Sequence, residues 1–189
     1  DPWAPHQYRR TGALYPDPAQ VGTAARMLAE ARLPVIHAGG GVVHAAAYRE
    51  LVELAELLHA PVTTSWSARG VMHESHPLAW PMVHVDAVNQ VRNEADLVLC
   101  LGSRLGETDW WGKPPYWAPP GQQRLVWVDI DEATLGRTCR ADLAIVSDVK
   151  VFLRMLADEL REPLEEVDLD PRRKQVERLK EAGLEAMMA

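Results

Sequence analysis

Three consecutive glycines, Gly39, Gly40 and Gly41, stand where a short apolar run, Pro34 to Ala38, meets a helical pattern. Without a Cβ they allow positive φ and let a ligand come against the backbone. The free N–H groups and positive dipole end of a following helix would suit a phosphate. The spacing is not the dinucleotide fingerprint, because G-x-G-x-x-G counted from Gly39 requires glycine at position 44, where His44 stands. A tight strand-to-helix turn with no ligand would use the same three residues.

Other reactive side chains assemble less well. His73 and His76 flank Glu74, but a zinc site needs three or four convergent ligands, and Cys100 and Cys139 are distant, so no metal is expected. Ser65, Ser67 and Ser75 have histidines nearby yet no G-x-S-x-G elbow, which argues against hydrolase chemistry. Cys100 sits in the apolar run LVLCLG and reads as a buried thiol; with no CxxC, a reducing cytoplasm is the simplest setting.

The elements that must position these residues follow from hydrophobic pattern. Asp17 is an N-cap, Pro18 fits the first helical position and Gln20 can close a capping box, after which Val21, Ala24, Ala25, Leu28 and Ala31 form a buried stripe. Directly after the glycines a second helix carries Tyr48, Leu51, Val52, Ala55 and Leu58 at spacings of three and four. Apolar runs predict strands at Pro34–Ala38, Pro61–Ser65, Asp96–Leu101, Arg124–Ile130 and Leu143–Ser147, with helices over 86–94 and after Asp148. Strands without alternation, separated by helices, imply an α/β Rossmann-like domain of three layers. Its parallel sheet has five or six strands covered by helices on both faces. Ligands of such sheets bind beyond the carboxyl ends of the strands. The loop Leu105 to Gly121 carries Trp110, Trp111, Tyr116 and Trp117 among four prolines and reads as an interface, the alternative being a lid folded back on the sheet's own edge.

The 189 residues suffice for one domain with a real core. A net charge of −7 without a basic run argues against nucleic acid as a partner, and no apolar run is long enough to cross a bilayer. Residues 1–16 read as an extended lead-in, 17–160 as the globular unit, and 161–189 as a polar, partly helical linker in which only Val176 and Leu179 make an apolar stripe. The absence of an initiator Met and the polar tail suggest a piece of something longer.

The segments RLPVIHAGGGV, LAELLHAPV, ARGVMHESHPL, EADLVLCLGSRL, VDIDEATLG and ADLAIVSDV, in that order, closely resemble one family. It is the central domain of thiamine-diphosphate-dependent enzymes of the acetolactate synthase and benzoylformate decarboxylase type. The resemblance covers residues from about 17 to 160. It implies a three-domain parent in which a preceding domain carries the cofactor-activating glutamate. A following one would hold thiamine diphosphate and Mg2+ through Gly-Asp-Gly…Asn, and neither motif can be placed in this chain. Such a parent would act on 2-oxo acids or related acyl compounds by decarboxylation, carboligation or C–C cleavage, as a homodimer or homotetramer. This piece alone would be inactive.

The resemblance further implies a nucleotide site, occupied by FAD in synthase-like members and by a CoA-related nucleotide or ADP in some decarboxylases. Carried over by position, the contacting residues are Gly39, Gly40, Gly41, Thr64 and Ser65, then Met82, Val83 and His84. Gly102, Ser103, Arg104, Asp129, Ile130, Ser147 and Asp148 complete the set. Two departures stand out. Where synthases resemble GMxGMHG this chain has LAWPMVHVD, which puts Trp80 and Pro81 in the flavin's way, and RLGET replaces an RFDDR-like stretch. A free-standing nucleotide-binding domain without thiamine chemistry, or an inert spacer between catalytic domains, would use the same fold.

Overall fold

Five apolar segments form one sheet of parallel strands: β1 (Pro34–Ala38), β2 (Val62–Thr64), β3 (Leu97–Leu101), β4 (Arg124–Asp129) and β5 (Leu143–Val146), in the order β2-β1-β3-β4-β5. All five residues of both β1 and β3 are buried, which is why neither alternates. The computed structural model describes residues 12–188 together with Trp3, Ala4 and Gln7. Half of the lead-in expected over 1–16, residues 1, 2, 5, 6 and 8–11, therefore falls outside the described residues. Its end is tied down, because the Leu14 carbonyl accepts from Ser147 Oγ (3.1 Å) and from the Asp148 N–H (2.9 Å).

Helices α1 (Pro18–Glu30), α3 (Tyr48–Leu58) and α5 (Val149–Glu165) pack together on one face. On the other lie α4 (Val85–Glu94), α6 (Asp170–Met188) and the aromatic loop. Asp17 caps α1 through the Ala19 N–H at 2.9 Å, and Asp148 caps α5 through the N–H groups of Lys150 and Val151. Gln20 does not close a capping box. Its amide donates instead to the Ala144 carbonyl at 3.1 Å, lashing α1 to the edge strand β5.

Two expectations change. The single helix expected after the glycines is two, a one-turn α2 (Gly40–His44) and then α3, because Ala46 takes a left-handed φ of 48° and the chain closes on itself through Ala45 N–H to Gly41 O and Ala47 N–H to Val42 O. The described part of the stretch read as a linker, 161–188, is docked against the body. α5 continues to Glu165, and α6 lays Arg172, Val176, Leu179 and Gly183 against the body. The Arg172 side chain enters the core and donates to the carbonyls of Leu58 (2.6 Å) and Ala31 (2.5 Å), the carboxyl ends of α3 and α1.

Candidate functional site

β1 and β3 are neighbours, but from them the chain winds outward in opposite directions, so their carboxyl ends border the sheet's topological switch point. Both glycine motifs lie there. The Gly39 N–H donates to Leu101 O at 2.8 Å and the Gly41 N–H to Gly102 O at 2.9 Å. A Cβ on Gly39 would stand 2.4 Å from Gly102 O and 2.5 Å from Ser103 Cα, and one on Gly41 would stand 2.7 Å from Gly102 Cα. Gly102 itself has φ +57°. Two of the three glycines thus serve the crossing of two loops, and their amides are committed to carbonyls. Gly40 is different, since its Cβ would meet only the Ser67 side chain, at 3.1 Å.

Above this crossing opens a cleft of about 900 Å³, within the size range of small-molecule sites. Nine of the fifteen residues carried over by position line it. Gly40, Gly41 and Ser65 stand on one side, Gly102, Ser103 and Arg104 in the middle, and Asp129, Ile130 and Asp148 on the other. Gly39 lies beneath the loop crossing. Ser147 is buried and spends its hydroxyl on Leu14 O, while His84 is the residue before α4. Thr64 and Met82 line a separate pocket of about 20 Å³ beside Trp80 and Pro81. Sequence reasoning did not anticipate His44, Glu107, Thr108 and Asp109 in the cleft. The last three come from a turn after Gly106 whose position only the fold reveals.

Asp109 connects the cleft to a buried polar cluster. Its Oδ2 accepts from Ser103 Oγ at 3.1 Å, and its Oδ1 lies 3.7 Å from Nε2 of the fully buried His37. That separation exceeds hydrogen-bond range, so Nε2 has no partner. His37 Nδ1 faces Thr63 Oγ1 at 3.1 Å and Arg92 Nη2 at 3.4 Å. Arginine only donates, which leaves Nδ1 as acceptor and the ring proton on Nε2, toward Asp109. Burial pulls His37 below its ordinary value and brings the Arg92 guanidinium to about 10. For Asp109, burial pushes upward, but the opposing contacts with His37, Ser103 and Arg92 win and hold it below the usual carboxylate range. Asp129 goes the other way, raised mainly by burial, against the hydrogen bond from the Asp131 N–H, while the Asp131 charge pushes it up.

The aromatic loop is split in its role. Trp117 is fully buried, with its Nε1 donating to Asp109 O at 2.8 Å and the Arg92 guanidinium 4.5 Å above its ring. Trp110 is 46% exposed and stacks on Tyr116. The inner half therefore closes the domain's own core, and only the outer half offers a surface.

A family model described as "Thiamine pyrophosphate enzyme, central domain" matches residues 21–156. The chain belongs to this family. Its relatives include the "Probable acetolactate synthase large subunit" of Methanocaldococcus jannaschii, 39% identical over 142 residues, covering 74% of this chain and 24% of that protein. The acetolactate synthase of Mycobacterium bovis is 39% identical over 150 residues, covering 77% and 24%. The benzoylformate decarboxylase of Polynucleobacter necessarius shares the fold, with a TM-score of 0.66 at 20% identity, over 85% of this chain and 30% of that one. The chain spans about a quarter of the length of the curated relatives it matches. It is a central domain, as the resemblance implied.

Proposed function

We propose that this central domain works within a thiamine-diphosphate-dependent enzyme that decarboxylates, ligates or cleaves 2-oxo acids or related acyl compounds. The family match over 21–156 carries this reading. The Gly-Asp-Gly…Asn motif expected to hold thiamine diphosphate and Mg2+ cannot be placed in this chain, and among the described residues no group of three His, Cys, Asp or Glu side chains could hold a metal. They belong to other domains of the same parent, which we take to be a cytoplasmic homodimer or homotetramer. Both cysteines of the chain are free thiols, and among the described residues no helix is long and apolar enough to cross a membrane.

The domain's own contribution is architectural, with a nucleotide of the FAD or CoA/ADP type in the cleft at the switch point. The units proposed are the lead-in 1–16, the family domain 17–160 and the segment 161–189 toward a following domain. The deciding experiment uses the full-length parent, incubated with a panel of 2-oxo acids with and without thiamine diphosphate and Mg2+. Substrate-dependent CO2 release or carboligated product that vanishes without the cofactor is the expected result, and the 189-residue chain alone should give neither. A parent that binds thiamine diphosphate by calorimetry yet turns over no member of the panel would refute the substrate class. One that fails to bind it would refute the enzyme reading.

A further inference from the structure

The walls of the cleft say which part of a nucleotide it recognises, an inference that rests on the nucleotide reading above. Four carboxylates line it, Glu107, Asp109, Asp129 and Asp148. Among the described lining residues Arg104 is the only lysine or arginine. Lys150 is turned away, bonded to Ala46 O at 3.1 Å and 3.6 Å from Glu50. The glycine amides that would cradle a phosphate at Gly39 and Gly41 already donate to Leu101 and Gly102. The helix that follows is a single turn, too short to present a strong dipole. A diphosphate here meets one arginine among carboxylates, where phosphate sites gather arginines and free N–H groups.

Other groups on the same walls suit an uncharged ligand. Trp66 and Ile130 are 67% and 60% exposed at the rim, large apolar surfaces that a flat ring would cover. Next to Ile130, at the end of β4, Asp129 uses Oδ1 to accept from the Asp131 N–H, and its carboxyl is the kind of group that takes a ribose hydroxyl pair. The side toward Met82, where the flavin ring would belong, is shut. Trp80 is buried under the Lys180 ammonium at 4.3 Å, and the adjoining space of about 20 Å³ holds little more than one water.

We propose that the cleft binds the nucleoside portion of its ligand, a planar base with a vicinal diol, that phosphates add little to affinity, and that FAD is excluded. The test titrates the purified 189-residue chain with adenosine, ADP and FAD by isothermal calorimetry at low and moderate salt. Adenosine and ADP should bind within about threefold of each other, FAD at least about tenfold more weakly, and salt should matter little. Asp129→Asn should weaken adenosine about tenfold, while Arg104→Ala should change ADP by less than about threefold. ADP binding tenfold tighter than adenosine, and losing that margin in Arg104→Ala, would overturn the inference and keep the nucleotide site. FAD binding as well as ADP would do the same. A folded chain, verified by circular dichroism, that binds none of the three would overturn the nucleotide reading and this inference with it.

Discussion

Arg172 tests whether α6 belongs to the domain. Its side chain is 4% exposed, and burial pulls its guanidinium below the ordinary arginine value. It donates at 2.6 Å to Leu58 O and at 2.5 Å to Ala31 O, with longer contacts at 3.4 Å to Leu28, Ala29 and Arg32 carbonyls. Arg172→Met keeps the stem and removes the two short charged bonds, each worth about 1.5–3 kcal/mol. Losing a cation beside two helix carboxyl ends adds a few tenths to about 1 kcal/mol. Relief of the guanidinium's desolvation offsets part of this. A net loss of about 3 kcal/mol follows, which for a domain of this size lowers Tm by roughly 6–12 °C. Arg173→Met is the control, since Arg173 is exposed and lies 3.7 Å from Asp170 in a pair worth well under about 1 kcal/mol. Thermal and urea unfolding of both variants decide the matter. An Arg172→Met protein that melts within about 2 °C of Arg173→Met would refute the clamp and return α6 to the status of a linker.

The glycines should separate by position. Gly39→Ala forces a Cβ onto backbone atoms and should cost about 1–3 kcal/mol or more, whereas Gly40→Ala meets only a movable Ser67 hydroxyl and should cost less than about 1 kcal/mol. Equal urea midpoints for the two would sink the loop-crossing account. Burial holds His37 below 6.5, so the unfolded chain binds its proton first, and stability should fall as pH drops below about 6.5 toward the lowered folded value, with no His37 contribution above that window. His37→Gln should flatten this part of the profile by up to about 1.4 kcal/mol per pH unit, leaving the smaller slope from the part-exposed His59, and an unchanged profile would contradict the burial effect.

Much of the fold was legible because buried parallel strands write themselves as unbroken apolar runs: PVIHA and LVLCL are buried at every position. The caps Asp17 and Asp148 were legible for a similar reason, since a carboxylate before an amphipathic run has one local use. The buried arginines were not. Yet each carries a signal in its spacing. Arg172 stands four residues before Val176, which stands three before Leu179 and seven before Gly183, so a stripe that looks thin when only apolar residues count is complete once the arginine joins it. Arg92 likewise continues the α4 stripe of Val88 and Val91. Asp109 carries no such signal, because its partners come from β1, α4 and the loop after β3, which only the fold brings together.

The glycine motif shows why one sequence pattern admits two structural readings. A ligand pressing on the backbone and a second loop pressing on it demand the same thing, the absence of a Cβ. Sequence cannot separate them; the register can. β1 pairs with β3 residue for residue up to Ala38 and Leu101, so the next residues of each strand, Gly39 and Gly102, must leave the sheet side by side. One loop then crosses the other with Gly41 Cα against Gly102, whose φ of +57° only glycine takes without strain. The two motifs are one device, a closure over the switch point that holds Gly40, Ser103 and Arg104 on the cleft wall. In the nucleoside reading proposed above, a ligand therefore meets the side chains of that wall, its carboxylates and exposed apolar rim, more than the glycines.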